Sequence, residues 1–349
     1  MKVLFRVDSS HQMGIGHVMR CLVLAELFKK NGTKVEFICR SHKGNSIDKI
    51  ISNNFKVYEL AAPKNNELET SSQYLQWLGV KQKKDADDCV DLIKLEKVNW
   101  IIVDHYGIDE QWHKQIKPHC DKLMVIDDLA DRNFDCHLLL NQNLGIEKKC
   151  YDNKVPADCI LLLGTKYALL RPEFSSLRCK AITKRKNTNS VNNIIISMGG
   201  NDINNITHSI LENIPKNYSV TVVLGKYSPH NKMLENYVKN KNIKLLIDSS
   251  NMAELMLDAD LAIGAGGSTS WERCCLSLPT FIFLIDENQQ MIVKQLVKFG
   301  SVRLLEDIGS LKNNLEDIRN DIRSWTLMTR KSRNICDGLG ADRVRNYVK

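Results

Sequence analysis

The 349-residue chain lacks several features at once, and each absence removes a class of protein. Its eleven cysteines are odd in number and scattered, with only Cys274-Cys275 adjacent and no C-x-x-C pair. Neither a disulfide framework nor a structural zinc site is indicated, and the thiols read as small buried apolar groups in a reducing compartment. No window approaches the ~20 consecutive apolar residues that cross a bilayer. Met1-Lys2 leads straight into an apolar strand, without the longer apolar core of a signal peptide. The expectation is a soluble, cytoplasmic chain with no stable membrane association. A basic arm is also missing: the net charge of +8 comes from 49 basic and 41 acidic residues spread along the chain. The densest basic run, Lys180 to Lys186, is short and free of aromatics. Nucleic acid is therefore not an expected partner, whereas a mild positive excess suits an enzyme handling anionic nucleotides.

With 43% hydrophobic residues the chain can bury two ordinary cores. Lys2 to Asp8 reads as a buried strand, and the helical period of Val18, Cys21, Leu22, Ala25 and Phe28 follows at once, with Gly32 as a stop. Strand candidates continue at Lys34 to Cys39, Phe55 to Leu60, Trp100 to Asp104, Leu123 to Ile126 and His137 to Leu140, with helical stretches between. Residues 61–72 read as a polar surface loop, followed by helical material over 74–97. The pattern resumes with strands at Asn192 to Ser197, Val220 to Leu224, Ile243 to Ile247, Leu261 to Ile263 and Thr280 to Leu284. This alternation predicts an α/β protein of two doubly wound, Rossmann-like domains. Residues 1–175 form the first and 192–330 the second, with a basic, polar linker at 176–191. A last helix at 331–349 is placed back on the first domain. No sequence repeat relates the halves, and a monomer is expected.

A parallel sheet gathers functional groups at the carboxyl ends of its strands, so Gly14-Ile15-Gly16-His17 and Asp104-His105-Tyr106 should share a crevice. His17 opens a helix, where the dipole disfavours the imidazolium and leaves a ring able to accept a proton. It fits a general base, with Asp8 near enough in sequence to orient it; a histidine that merely caps its helix has the same signature. The sharpest phosphate candidate is Gly264-Ala265-Gly266-Gly267-Ser268-Thr269, which leaves a strand and enters a helix, although a ligand-free turn reads alike. It lacks the lysine of a Walker A motif. Met198-Gly199-Gly200-Asn201-Asp202 is a second such turn. Glu272, in the first turn after the glycine loop, is either a ribose acceptor or a dipole-favoured cap. Asp104, Asp127 and Asp128 have no third ligand spaced with them and read as caps, so no metal is assigned.

Taken together, Phe5-Arg6-Val7-Asp8-Ser9-Ser10, Gly14 to Cys21, Asp104 to Gly107, Tyr167 to Arg171, Met198 to Asp202, the 264–272 loop and Glu287-Asn288-Gln289 carry a resemblance. In order and spacing they resemble the pseudaminic-acid pathway hydrolases, which remove UDP from a diacetamido-trideoxy-altrose, and the resemblance covers nearly the whole chain. It implies a two-lobed GT-B-like fold, related to the transferase that adds N-acetylglucosamine in peptidoglycan synthesis, with the sugar in a central cleft. It implies His17 as the catalytic residue and no cofactor. It places Gly266, Gly267 and Ser268 on the diphosphate, with Gly199 and Gly200 beside them. Glu272 goes to the ribose and the backbone near Met252 to uracil, while Gly14, Gly16, Tyr106, Asn288 and Gln289 face the sugar. The polar 61–88 region departs from a minimal family member and is expected to alter only the surface of the first domain. Two other readings stay open: a GT-B glycosyltransferase using a UDP-amino sugar donor, and a nucleotide-sugar binding protein without turnover.

Overall fold

The computed structural model describes residues 1–63, 72–199 and 202–349, and the backbone but not the side chain of Asn288. The chain forms two compact units, one of Met1–Leu169 with Gly340–Lys349, the other of Leu170–Leu339. The first holds a seven-stranded sheet ordered β3-β2-β1-β4-β5-β6-β7. Its strands are β1 Lys2–Val7, β2 Lys34–Arg40, β3 Lys56–Leu60, β4 Trp100–Asp104, β5 Lys122–Ile126, β6 Leu138–Asn141 and β7 Ile160–Leu163. The second holds a six-stranded sheet ordered β10-β9-β8-β11-β12-β13. Here β8 is Asn193–Ser197, β9 Ser219–Leu224, β10 Ile243–Ile247, β11 Leu261–Ala265, β12 Thr280–Phe283 and β13 Val302–Leu305. Every pairing is parallel.

Alternation along β1 builds the first core. Val3, Phe5 and Val7 join one apolar cluster, with Val18, Cys21 and Phe28 of the helix Gly16–Lys30. Leu4 joins the cluster on the other face, with Ile101, Val103 and Trp112. Because β1 is buried on both sides it reads as a continuous apolar run, as parallel strands do. In the second unit Ile194, Ile196, Val220, Val222, Ile263 and Phe281 pack with Trp325 and Met328 in the same manner. Among the described residues no helix is long and apolar enough to cross a membrane.

Three boundaries differ from the sequence expectation. The expected linker at 176–191 is helix through Lys186, because Pro172–Lys186 forms a single α-helix inside the second unit. Its basic residues bind backbone carbonyls: Arg178 donates to Cys275, Arg333 and Cys336, and Arg185 to Met256 and Ala259. A polar composition that looked like solvated linker is the glue of a helix contact. The crossing between units falls at Leu169 rather than 175, and only Gly340–Lys349, not the whole of 331–349, belongs to the first unit. There Ala341, Val344 and Val348 enter the β1 cluster and the Trp100 indole N–H donates to the Lys349 carbonyl. Strands β7 and β13 were not anticipated; each is four residues long and closes a sheet edge.

His105 and His113 are buried in the first unit, and burial pushes both imidazoles down to about 3. In the unfolded chain they take up protons near pH 6.5. Their contribution to stability is thus complete above that pH and is lost as the pH falls towards 3. Native-state hydrogen exchange on amides of residues 1–169 should show stability falling between pH 6 and 4, by about 1.4 kcal/mol per pH unit for each ring. His113→Gln should remove one proton's worth of that slope; an unchanged slope would contradict the assignment.

Candidate active site

The order of each sheet reverses at one seam, β1/β4 in the first unit and β8/β11 in the second. Connections leave those strands in opposite directions, so the backbone opens at their carboxyl ends, where ligands of doubly wound sheets bind. His17 and Tyr106 lie at the first of these openings and Gly199 and the 264–268 turn at the second, while Met252 follows β10 and Gln289 follows β12.

In the first unit the chain leaves β1 and turns through Ser9 to Ile15. Gly14 takes a φ of +71°, which glycine adopts without strain, while its N–H donates to the Ser10 carbonyl and the Ser10 hydroxyl accepts from Gln12 and Met13. The helix begins at Gly16, so His17 and Arg20 are three apart and share a face. That face looks onto Asp104, the last residue of β4 and the register partner of Val7. The His17 Nδ1 lies 2.7 Å from Asp104 Oδ1. Arg20 donates to both Asp104 oxygens at 2.6 Å and, through Nη1, to Asp128 Oδ2 at 2.6 Å. The Tyr106 hydroxyl donates to the same Asp128 oxygen at 2.6 Å, and the Tyr106 ring stands edge-on to His17, centroids 4.7 Å apart. Arg20 holds the Asp104 carboxyl well below its ordinary range against the opposing cost of burial, and burial with the Asp128 charge holds the Tyr106 hydroxyl protonated.

Nδ1 also has Arg20 Nη2 3.2 Å away, but the carboxylate at 2.7 Å is the closer partner and has no proton to give, so it favours the hydrogen on Nδ1. Nε2 keeps its lone pair and makes no hydrogen bond among the described residues. The side chain is 13% exposed.

Asp8 does not orient His17. It is fully buried, takes both terminal nitrogens of Arg6 and the N–H of Arg40, and has His42 and His105 3.5 Å away. Residues two apart on extended chain share a face, so Asp8 turns with Arg6 towards Arg40 and Asp85. His105 points the same way, its Nδ1 accepting the Gly107 N–H. The 61–88 region reaches further inward than expected. Asp85 binds Arg6, Arg40 and the Trp112 indole, and Tyr74 and Trp77 pack on the Tyr106 ring at 5.2 and 5.9 Å. A Cβ on Gly107 would stand 2.3 Å from the Tyr74 carbonyl, so glycine is required for that approach.

In the second unit β11 runs into Gly266-Gly267-Ser268 and the helix Thr269–Cys275. A Cβ on Gly264 would meet Arg273 at 2.3 Å and the Ser197 carbonyl at 2.5 Å, and one on Gly266 would meet Val293 at 2.3 Å. Gly267 and Gly199 face open space, the latter at φ +98°. Gln289 comes to this loop directly, its Oε1 accepting the Gly266 N–H at 3.0 Å. Gly200 and the Asn288 side chain lie outside the described residues. Glu272 is partly buried with Arg171 3.9 Å away. Arg171 also donates to the Ser250 carbonyl, two residues before Met252 opens its own helix. Arg171 thereby links the Glu272 and Met252 positions, a role its place in the Tyr167 to Arg171 motif did not reveal. Arg20 was likewise not assigned, although its i, i+3 spacing from His17 was readable, and Asp104 and Asp128, read as caps, instead bind Arg20, with Asp104 also meeting His17.

Known proteins fit this arrangement. Residues 194–337 match the glycosyltransferase family 28 C-terminal domain. A UDP-2,4-diacetamido-2,4,6-trideoxy-beta-L-altropyranose hydrolase from Campylobacter jejuni is 32% identical over 302 residues, 86% of this chain and 97% of that protein. The chain belongs to this family of nucleotide-sugar hydrolases. Among solved structures, Acinetobacter baumannii MurG aligns over 99% of both chains with a TM-score of 0.67 at 13% identity. UDP-GlcNAc 2-epimerase from Neisseria meningitidis, bound to UDP-GlcNAc, aligns over 99% of both with a TM-score of 0.63 at 14% identity. These likenesses show a GT-B-type fold for this chain.

Burial pushes the Glu272 carboxyl up to about 7, against the pull of Arg171. An unfolded glutamate ionises near 4.3. The raised value therefore costs stability that is absent at pH 4, grows between about 4 and 7, and stays constant above. Glu272→Gln should stabilise the second unit by about 2 kcal/mol at pH 8 and change little at pH 4, read by urea unfolding.

Proposed function

We propose that the protein hydrolyses UDP-2,4-diacetamido-2,4,6-trideoxy-beta-L-altropyranose to UDP and the free sugar, in pseudaminic acid biosynthesis. The observation that carries this reading is His17, tied at Nδ1 to a carboxylate and open at Nε2. UDP leaves as a stabilised anion, so the demand falls on the nucleophile. His17 takes a proton from water as that water attacks the anomeric carbon opposite UDP, breaking the sugar carbon to oxygen bond with inversion and without a metal. Amides of Gly266, Gly267 and Ser268, with Gly199, receive the diphosphate at the opening of the second sheet, and Gly200 is assigned to it too. Glu272 takes the ribose hydroxyls, as acceptor when ionised and as donor when protonated. Backbone near Met252 meets uracil. Gly14, Gly16 and Tyr106 on the first unit, and Asn288 and Gln289 on the second, are each assigned to the sugar. Since the Gly266 N–H bonds Gln289, a diphosphate there takes over that donor and frees the amide of Gln289 for the sugar.

The match to a glycosyltransferase domain supports one rival, a transferase in which an acceptor hydroxyl replaces water. Incubating the UDP-sugar with the protein alone, in chelator, separates the two: free UDP is expected. No release without an acceptor would sink the hydrolase, and release lost only in chelator would sink the metal-free step. Heavy-oxygen water should label the sugar and leave UDP unlabelled. His17→Asn should abolish turnover while UDP affinity stays within about tenfold; a parallel loss of UDP binding would contradict the role.

A further inference from the structure

We propose that Asp104 and Arg20 are positioning residues for His17: Asp104 fixes the ring and its tautomer, and Arg20, braced by Asp128, limits how strongly that carboxylate favours a proton on the ring. The inference rests on His17 acting as the base, and it adds to that role the groups that set the base's strength.

The geometry is closed on three sides. Asp104 is 1% exposed and its two oxygens take two donors from Arg20 and one from His17. Arg20 is 6% exposed and uses its remaining arm on Asp128, which Tyr106 and Asn143 hold in turn. The groups facing His17 from the surrounding elements are thus Arg20 on its own helix, Asp104 and Tyr106 after β4, and Asp128 after β5. The neighbouring Cys21 thiol donates to Asp104 at 3.6 Å, and His105 follows in sequence. Cys21 and Tyr106 stay protonated, and His105 stays neutral at working pH. Only Asp104, Asp128 and Arg20 carry charge, so the cluster holds one net negative charge. When His17 takes a proton from water that charge becomes zero, the most favourable change a buried cluster can offer.

Each substitution breaks this balance in its own direction. Asp104→Asn leaves Arg20 and Asp128 with no net charge, so protonating the ring creates one. With the amide NH2 at the Oδ1 position, the amide oxygen keeps only the Arg20 Nε donor and the NH2 faces Nδ1, which moves the ring hydrogen to Nε2 and removes the base. Arg20→Met leaves two unscreened carboxylates beside the ring, which then holds a proton to higher pH. A residue that merely supported the fold would move both profiles the same way or not at all.

The experiment is a pair of pH profiles of kcat/KM, with nitrogen-15 histidine spectra of each protein. Asp104→Asn should lower kcat by about a hundredfold or more with KM within about threefold, and should move the acid limb to lower pH. Its His17 signal should change from the Nδ1–H to the Nε2–H tautomer. Arg20→Met should lower kcat by about tenfold and move the acid limb to higher pH, with the tautomer kept. Should Arg20→Met not fold, Arg20→Lys serves: it keeps the charge and loses the fork, so kcat falls while the limb stays within about 0.3 pH units. Acid limbs that shift together, or an Nε2–H tautomer in the unaltered protein, would overturn the proposal. The spectra need no turnover, so a protein that releases no UDP would defeat the hydrolase reading and leave the tautomer result to judge this one.

Discussion

Where the two halves of a parallel sheet wind in opposite directions, the strands at the seam send their connections to opposite faces and leave a gap. In this chain the gap at β1 and β4 brings Gly14 to Arg20 and Asp104 to Tyr106 together although almost ninety residues separate them. The gap at β8 and β11 does the same for Gly199 and the 264–268 turn. Carboxyl ends at such a seam are where backbone amides and strand-end side chains face outward from an otherwise covered parallel sheet.

The first unit buries two charge clusters, and their contrast shows what each is for. Arg6, Asp8, Arg40 and Asp85 pair with one another deep among β1, β2 and the 82–93 helix, with every carboxylate oxygen bonded. Such a set breaks even against desolvation at best, and it pins strand ends in one arrangement. The Arg20 cluster is built from the same residue types but leaves one member, His17, with an unshared lone pair at its edge. The former is sealed, with His42 and His105 buried beside Asp8, whereas the latter reaches the surface at His17.

Much of this was readable from residues alone. The alternation of apolar runs with glycine turns gave both sheets, and the glycine-rich turn after β11 was legible because only glycine fits where a side chain would strike Arg273 or Val293. His17 stood out through its place at a helix start. What could not be read were contacts whose partners are far apart. Nothing local distinguishes Asp104 from Asp8 as the partner of His17; the register of β1 against β4 decides it. The 172–186 helix was hidden because lysine and arginine bonded to carbonyls look, in sequence, like lysine and arginine in water. The inward reach of Tyr74 and Asp85 was hidden by a polar stretch that precedes them.

The return of Gly340–Lys349 to the first unit bears on how the molecule is made. Val344 and Val348 complete the apolar layer over the helix that carries His17 and Arg20. Those residues leave the ribosome only after all of Leu170–Leu339 has been synthesised. The later-encoded unit is therefore the one whose residues are all available first, and the unit that carries His17 lacks part of its core until the last residues are made. The order in which the units begin and the order in which their residues are completed thus run opposite to one another.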